Sequence, residues 1–370
     1  MRRMLLCFRS PNKNNYVGGV MTLINSYISH KEMFEKNRVE LDIFDYHIGG
    51  FVEGLPQKIS NLLYIPLQRK AFSEYARNNE TDIVSIHTSR EFLFLKDVYL
   101  ARYISKKFKK KVLLTVHVGD INTVFNRIGF WQNRLIHIIN CDVDKVVFLS
   151  NEIKSQFIKL GMKPEKGEVL YNFYDFGGYR FKEKAWSDKL KLLYVGAIHR
   201  EKGILELLHA VKKVSQIGYN IDLDICGQIT DVSIQDEFNQ MIDDQPNIFH
   251  LHGYVSGSVK ATLYDQANVL ILPSYHEGMP LVILEALGSG CAIISTRVGT
   301  TPEILSEENA IWVDIGSEEE IVAAIIKLYT DRAMMEKMSR NNIEKSTDYS
   351  ITEHIAKYCD IINVCCTRVE

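Results

Sequence analysis

A chain of 370 residues has room for two or three domains of ordinary size, each with its own core. Hydrophobic residues make up 46% and charged residues 24% of the sequence, which is typical of a globular protein, and no apolar run has the length of a membrane-spanning helix. The basic start MRRMLLCFRS loses its apolar character after Phe8, so it favours a first strand over a signal peptide. We therefore expect a cytoplasmic protein whose seven cysteines, with no CxxC pair among them, are free thiols.

The net charge of −2 conceals a division between two halves of the chain. Residues 1–172 carry 26 Lys and Arg against 17 Asp and Glu, a net of +9, and the remainder carries a net of −11. A basic half predicts attraction to an anionic surface, whether membrane, lipid phosphate or nucleic acid. The sequence contains no known nucleic-acid-binding module, so nucleic acid is the least favoured of these partners.

The first half alternates between short strands and helices. Residues 3–9 are predicted to form a strand and residues 19–36 a helix, joined by a loop that ends in Gly18 and Gly19. Glycines at this point let the backbone approach a ligand closely while helix amides point at it. Further β-branched runs follow, mostly separated by helical segments: VELDIFDYH, DIVSIHTS, KVLLTVHVGD, KVVFLS and GEVLYNF. This alternation predicts right-handed βαβ units and a parallel sheet.

The same alternation restarts after a break. Residues 173–189 lose periodicity and are predicted to be a linker. Six strand-like runs then follow: KLKLLYV, YNIDLDICG, NIFHLHG, NVLILPS, CAIISTRVG and AIWVDI. We predict an α/β protein with two doubly wound Rossmann-like domains, 1–172 and 190–347, facing a central cleft, and a final segment, 348–370, containing an amphipathic helix.

Two stretches of the basic half have two interpretations each. The run KKFKKK at 106–111 is either a solvated helix end or a membrane contact. The segment 125–140 carries a stripe of apolar residues that is either an interfacial helix or ordinary core. The stripe consists of Phe125, Ile128, Phe130, Trp131, Leu135 and Ile139.

Three stretches place chemically useful side chains where strands end. His117, in TVHVGD, follows a predicted parallel strand at the edge where open α/β sheets bind ligands, with Asp120 a weaker candidate in the same loop. In VGAIHREKGI, Arg200 and Lys202 lie between two glycines, as a diphosphate would require. This loop lacks the Gly-Lys-Ser/Thr ending of a P-loop and the third glycine of a dinucleotide fingerprint, which disfavours a hydride-transfer cofactor.

The third stretch, PSYHEGMPLVILEALGSG, runs from a strand through a loop into a helix. Glu277 and Glu285 are separated by seven residues, a little over two helical turns, so both carboxylates can lie on one side. With Pro280 as the first helical residue, the amides of Leu281 and Val282 are left free to bind phosphate.

The Asp-x-Asp pairs at 142–144 and 222–224 are interpreted as structural, the second facing outward along its strand. A metal site is therefore not expected. Cations, helix amides, carboxylates and a histidine together suit a nucleotide sugar better than ATP, which would normally bring a magnesium site.

With these motifs, the sequence resembles the retaining glycosyltransferases of family 4, the group 1 glycosyltransferases of GT-B fold, over nearly the whole chain. The resemblance is strongest in LPSYHEGMPLVILEALGSGCAIIST, which is similar to the family's Glu-seven-residues-Glu motif. It implies three catalytic residues: Glu277, which would hold hydroxyls of the donor sugar, His117 beside that sugar, and Lys202, which would neutralise the departing diphosphate.

The resemblance also implies a set of donor-binding residues. Glu285 would hold the ribose hydroxyls, Arg200 would assist Lys202, and two glycines of the first domain would close the phosphate side. The main chain after Glu277 would contact sugar and phosphate. This donor-binding set consists of Gly18, Gly19, Arg200, Gly278, Met279, Pro280, Leu281, Val282 and Glu285. The family usually has arginine where this chain has Ala197, and we interpret Arg200 as its substitute.

The function implied is retaining, metal-independent transfer without a cofactor. A hexose or N-acetylhexosamine would move from a nucleotide sugar, with UDP favoured, to a lipid-diphosphate-linked or polysaccharide acceptor in surface glycan synthesis at the inner face of the cell membrane. Residues 1–172 would be the acceptor domain and 190–347 the nucleotide-sugar domain, with 348–370 packing back towards the first. The alternatives left open are a GDP-mannose-dependent mannosyltransferase, a sugar-nucleotide epimerase or phosphorylase, and a nucleotide-sugar-binding regulatory protein.

Overall fold

The chain forms two units, each with its own parallel sheet. A computed structural model describes residues 1–8, 19–45, 57–89, 91–118, 121–125, 128–179, 181, 184 and 187–367. Unit 1 consists of Met1–Asn172 and Thr352–Glu370, and unit 2 of Phe173–Ile351. The predicted α/β class, with two doubly wound Rossmann-like domains, is confirmed.

The sheet of unit 1 has six strands in its described part, and every neighbouring pair is parallel. The strands are β1 (Arg2–Phe8), β2 (Val39–Asp45), β3 (Ile83–Thr88), β4 (Lys111–Val116), β5 (Lys145–Phe148) and β6 (Gly167–Val169). Their order is β2-β1-β3-β4-β5-β6. All side chains of β3 are buried, as expected of a parallel strand whose two faces are both covered.

Helices cover this sheet, and the first of them corrects a prediction. The helices are α1 (Gly19–Ser29), α2 (Lys31–Lys36), α3 (Gln57–Asn78), α4 (Glu91–Phe108), α5 (Ile121–Phe125), α6 (Gln132–Asp142) and α7 (Asn151–Lys159). The single helix predicted over residues 19–36 is wrong. His30, with φ −113° and ψ 31°, leaves the helical conformation and separates α1 from α2.

The apolar stripe of 125–140 is mostly core. Phe125, Ile128, Leu135 and Ile139 are buried in unit 1, whereas Phe130 is 83% exposed. The core interpretation is therefore confirmed for these four residues and wrong for Phe130. Within the described ranges, no helix combines the length and apolar character needed to cross a membrane.

The last helix, α15 (Ile351–Thr367), contributes to the core of unit 1. Its buried face includes Ile355, Tyr358 and Ile362. The ring of Tyr358 stacks on that of Tyr27 from α1, with centroids 5.6 Å apart. Unit 1 is thus completed by a segment that follows unit 2 in the sequence.

The sheet of unit 2 also has six parallel strands where the structure describes it. They are β7 (Leu190–Val195), β8 (Ile221–Cys226), β9 (Phe249–Gly253), β10 (Val269–Leu272), β11 (Ala292–Ser295) and β12 (Ala310–Trp312). Their order is β12-β11-β10-β7-β8-β9. The chain therefore builds outwards from β7 in one direction and from β10 in the other, which makes the gap between these two strands a topological switch point.

Helices also cover the sheet of unit 2. They are α8 (Ile204–Gln216), α9 (Gln235–Asp244), α10 (Gly257–Gln266), α11 (Leu281–Ser289), α12 (Thr301–Ile304), α13 (Glu318–Thr330) and α14 (Arg332–Ser346). The described part of 173–189 lies in this unit, where Lys184 is buried and donates to the carbonyl oxygen of Tyr264. The side chains that fill the core come largely from α8, α13, β7 and β8.

Candidate functional site

The candidate site of unit 2 lies at the carboxyl ends of β7 and β10, on either side of the switch point. Open α/β sheets bind ligands at this place because the loops leaving the two strands diverge there. The loop after β7 ends in a 3-10 turn, Arg200–Lys202, followed by Gly203. Gly203 has φ +66°, and a Cβ atom there would lie 2.2 Å from the carbonyl oxygen of Pro273. Only glycine therefore lets this turn pack against the end of β10.

This packing brings Lys202 and Glu277 together. The Lys202 Nζ atom lies 2.8 Å from Glu277 Oε1, and the hydroxyl of Ser274 donates to the same oxygen at 2.7 Å. The main chains are also joined, since the Tyr275 amide donates to the carbonyl of Glu201. Glu277 Oε2 receives no hydrogen bond from the described residues. The carboxylate is thus held in place through one oxygen, and the other can accept a hydrogen bond from a ligand.

The loop around Glu277 is packed tightly on a second segment of backbone. Gly299 has φ +55°, and a Cβ atom there would lie 2.3 Å from the carbonyl oxygen of Glu277 and 2.5 Å from that of Gly278. The Thr300 amide donates to the carbonyl of Gly278 at 2.9 Å. Met279 is buried in the same loop. The positions of Glu277 and Gly278 are therefore fixed by their surroundings.

Helix α11 begins at Leu281, one residue later than predicted. Pro280 is extended, with φ −73° and ψ 113°, and precedes the helix instead of forming its first residue. Its carbonyl accepts from the Ile283 amide. The amides of Leu281 and Val282 have no acceptor among the described residues, so they form the open, positive end of the helix. Such an end can bind an anionic group.

Glu285 lies one turn further along α11 and is only 5% exposed. Lys260 Nζ pairs with its Oε1, and the hydroxyl of Tyr264 donates to its Oε2 at 2.9 Å. Burial, followed by the charge of Glu285, raises the pKa of Tyr264 well above its ordinary value, so this hydroxyl keeps its proton. Glu285 therefore has one hydrogen-bond partner on each oxygen.

Lys260 and Tyr264 are absent from the sequence prediction. They lie four residues apart on α10, which places them on one face of the helix. That spacing is the only signal in the sequence, and it is ordinary. Arg200, the predicted second cation, is exposed, and its amide donates to Asp231 at 3.3 Å. The structure therefore gives each glutamate of the motif its own lysine partner and leaves Arg200 at the surface.

In unit 1, His117 follows β4 and is partly exposed. Its amide donates to the carbonyl of Thr88, and its Nε2 atom lies 2.8 Å from Nδ1 of His87, a buried residue of β3. Burial lowers the pKa of His117 to about 4, so its ring is neutral at pH 7. Gly19 is the first residue of α1, while Gly18 and Asp120 lie outside the described residues.

The acidic pairs have cationic partners. Asp142 pairs with Lys106 at 3.0 Å. Asp222 is buried and pairs with Lys189 at 2.7 Å. The prediction that Asp222 faces outward is therefore wrong, because Lys189 and the neighbouring strand β9 cover it. In the described part of the chain, no three His, Cys, Asp or Glu side chains gather as metal ligands would.

Comparison with known proteins identifies the family of this chain. The model for "Glycosyl transferases group 1" matches residues 176–345, and the model for "Glycosyltransferase Family 4" matches residues 31–177. Together the two models span both units. This chain belongs to the group 1, family 4 glycosyltransferases.

Among the relatives of this glycosyltransferase-family member is the capsular polysaccharide biosynthesis glycosyltransferase CapM of Staphylococcus aureus. The two are 26% identical over 216 residues, which is 54% of this chain and 56% of CapM. The chain thus spans little more than half the length of this curated relative.

Two solved structures share the fold over the full chain. Sucrose-phosphate synthase from Thermosynechococcus elongatus has a TM-score of 0.76 and 17% identity, covering 98% of both chains. Anabaena HepE, solved in complex with UDP, has a TM-score of 0.73 and 15% identity, covering 98% of this chain and all of HepE. The predicted GT-B fold is confirmed, and identities this low show the fold alone.

Proposed function

We propose that this member of the family is a retaining glycosyltransferase that uses a UDP-linked hexose or N-acetylhexosamine as donor. The acceptor is a lipid-linked or polysaccharide chain in surface glycan synthesis. The observation that carries the proposal is the Lys202–Glu277 pair at the switch point of unit 2, in the same segment as the free amides of α11. The complex of HepE with UDP, a protein of the same fold, and the capsular role in the name of CapM support the choice of donor and product class.

In this proposal the diphosphate binds at the start of α11. The amides of Leu281 and Val282 donate to phosphate oxygens, and Lys202 supplies a positive charge. The main chain of Gly278, Met279 and Pro280 forms the wall beside it. Arg200, exposed on the same turn as Lys202, provides the second cation in place of the arginine that the family has at position 197.

The two glutamates then bind different parts of the donor, the sugar and the ribose. Glu277 accepts hydrogen bonds from the sugar hydroxyls through Oε2, while its Oε1 stays bonded to Lys202 and Ser274. Glu285 accepts from the ribose hydroxyls, oriented by Lys260 and Tyr264. For unit 1, we propose that Gly18 and Gly19 bind phosphate and that the ring of His117 binds the sugar.

The reaction that fits these groups is a front-face displacement. The bond from the anomeric carbon to the phosphate oxygen breaks, and the bond to the acceptor oxygen forms on the same face of the sugar. The acceptor hydroxyl transfers its proton to the departing phosphate. Negative charge grows on that phosphate in the transition state, where Lys202 and the α11 amides stabilise it. We propose that neither a metal ion nor a cofactor takes part.

The acceptor is proposed to approach from an anionic membrane surface on the cytoplasmic side. Unit 1 supports this with a groove between α3 and α4 that is rich in cations and also contains Tyr103. Its cationic side chains are Arg69, Lys70, Arg77 and Lys107. Glu74 is the single acidic residue among the side chains that line it. A groove of this charge suits lipid phosphate.

The decisive experiment is a thermal-shift screen against UDP, GDP, ADP and their sugars, followed by a transfer assay with the stabilising donor. We expect stabilisation by UDP and UDP-sugars, through linkage between binding and folding. We also expect transfer to continue in EDTA, with the donor's anomeric configuration kept in the product. Stabilisation by GDP alone would change the donor to a GDP-sugar, stabilisation without transfer would favour a regulatory protein, and no response to any nucleotide would overturn the proposal.

A further inference from the structure

His117 does not stand alone in unit 1. Its Nε2 atom lies 2.8 Å from Nδ1 of His87, and the two rings are 5.0 Å apart at an angle of 23°. His87 is 6% exposed and belongs to β3, next to the strand that leads into His117. The other ring nitrogen of His87, Nε2, lies 3.4 Å from the hydroxyl of Tyr358 on α15. That hydroxyl is 2.6 Å from the hydroxyl of Ser85.

The tautomers of the two rings depend on each other. Burial keeps both histidines uncharged, so each ring carries one proton, on Nδ1 or on Nε2. The hydrogen bond between the rings needs a proton on one facing nitrogen and a lone pair on the other. If His87 donates from Nδ1, then His117 must carry its proton on Nδ1. If His117 donates from Nε2, its Nδ1 atom is bare.

The surroundings of His87 favour the first arrangement. A phenol is a better donor than a neutral imidazole, and an imidazole nitrogen is a better acceptor than a phenol oxygen. In this arrangement Tyr358 donates to His87 Nε2, and Ser85 donates to the oxygen of Tyr358. His87 then carries its proton on Nδ1 and donates it to His117 Nε2. The pair Tyr27 and His354 follows the same rule nearby: the Nδ1 of His354 faces the carbonyl of Tyr171, which can only accept, so its Nε2 accepts from the hydroxyl of Tyr27.

We propose that His87, oriented by Tyr358, is a positioning residue that fixes His117 in the tautomer with its proton on Nδ1. His117 then presents an N–H donor to the ligand and does not act as a proton acceptor. Its Nδ1 atom makes no hydrogen bond to the described residues, so this donor is free to meet a hydroxyl or phosphate oxygen. The assignment of the ligand rests on the proposed function, whereas the tautomer does not.

The tautomer can be read directly by long-range ¹H–¹⁵N correlation spectra of the full-length protein labelled with ¹⁵N-histidine, at pH 7.5. His117→Gln identifies the signals of His117. We expect these signals to show a protonated Nδ1 and an unprotonated Nε2, opposite to the preference of free histidine in water. In Tyr358→Phe and in His87→Phe, they should shift towards the Nε2-protonated form. His137→Gln, at an exposed position of α6, serves as the matched control and should leave them unchanged.

Activity provides the second readout. With a donor that the protein uses, Tyr358→Phe should lower kcat roughly three- to tenfold, the effect of one misdirected hydrogen bond, and leave KM for the donor nearly unchanged. A wild-type His117 protonated on Nε2, or a tautomer that does not change in His87→Phe, would overturn the inference. The expected spectra in a protein that transfers no sugar would leave the inference standing and count against the proposed function alone.

Discussion

The polar groups at the edges of the two sheets are stabilised in different ways. In unit 2, Glu277 and Glu285 form ion pairs with Lys202 and Lys260. In unit 1, the buried polar rings are neutral histidines and tyrosines joined by hydrogen bonds. A histidine loses its charge near neutral pH at small cost, whereas buried glutamate and lysine need each other. Unit 2 can therefore offer charged groups at fixed positions to a ligand, whereas unit 1 can offer hydrogen bonds of fixed orientation.

The largest effect expected from this difference is a loss of stability in acid. Burial lowers the pKa of His354 to about 3, and that of His87 well below its ordinary value. The unfolded chain binds these protons below about pH 6.5, and the folded chain does not. Their contribution to stability is therefore complete above that pH and is lost as the pH falls. At pH 5 we expect about 2 kcal/mol less from each residue.

Urea denaturation at pH 7.5, 6.0 and 5.0 tests this expectation. His354→Gln should be less sensitive to pH than the wild type, because one proton fewer is taken up on unfolding. The exposed His137→Gln should keep the wild-type dependence. An identical dependence in wild type and His354→Gln would mean that the pH-linked protons bind elsewhere.

The pair Lys260–Glu285 should be the next most sensitive feature. Lys260→Met keeps the aliphatic stem and removes the charge, which leaves the buried Glu285 without a cation. Breaking one side of a buried pair costs about 3 kcal/mol or more, and we expect that loss in the free energy of unfolding. Adding Glu285→Gln to this variant should restore part of it, and Lys327→Met, at an exposed site on α13, should cost little. A stable Lys260→Met would show that Glu285 does not depend on this charge.

Lys202→Ala tests the charge at the switch point. We expect kcat to fall about a hundredfold, because the charge of the leaving phosphate grows in the transition state, and donor affinity to fall much less. Steady-state kinetics and calorimetric binding of the donor separate the two effects, with Lys327→Ala as the control. Equal losses in kcat and affinity would assign Lys202 to binding alone.

Substitutions of the two motif glutamates should have the smallest effects on activity and binding. Glu277→Gln should lower transfer about tenfold and leave binding of free UDP unchanged, because this residue is proposed to hold the sugar. Glu285→Gln should weaken both by a similar factor, the value of one hydrogen bond to a charged acceptor. Calorimetric titration with UDP compares them. If both variants bind UDP as the wild type does, the ribose assignment of Glu285 is wrong.

Sequence alone predicted most of the fold, and the reason is periodicity. The buried strands of parallel sheets are short β-branched runs, and each one that the sequence predicts has its strand in the structure. The break at His30 was missed because nothing in the residues around it distinguishes a helix that ends from one that continues.

The candidate site was predictable where short motifs follow the strands. Lys202 follows β7, whereas Glu277 and α11 with Glu285 follow β10, so each motif is contiguous in the sequence. Lys260 in unit 2 and His87 in unit 1 each meet a predicted residue through a contact between separate elements of the same unit. His87 in particular lies inside a strand, where the sequence reads as core. Such residues become visible only when strand register and helix packing are known.

The place of α15 has a consequence for the order in which the protein is made. Tyr358 and its neighbours leave the ribosome after all of unit 2, yet the core around Tyr27 and His87 needs them. Unit 2 can therefore fold while unit 1 still lacks helix α15. A nascent chain stopped near residue 350 should have a folded unit 2 and an unfinished unit 1, with the ring of His87 lacking the partner that orients it.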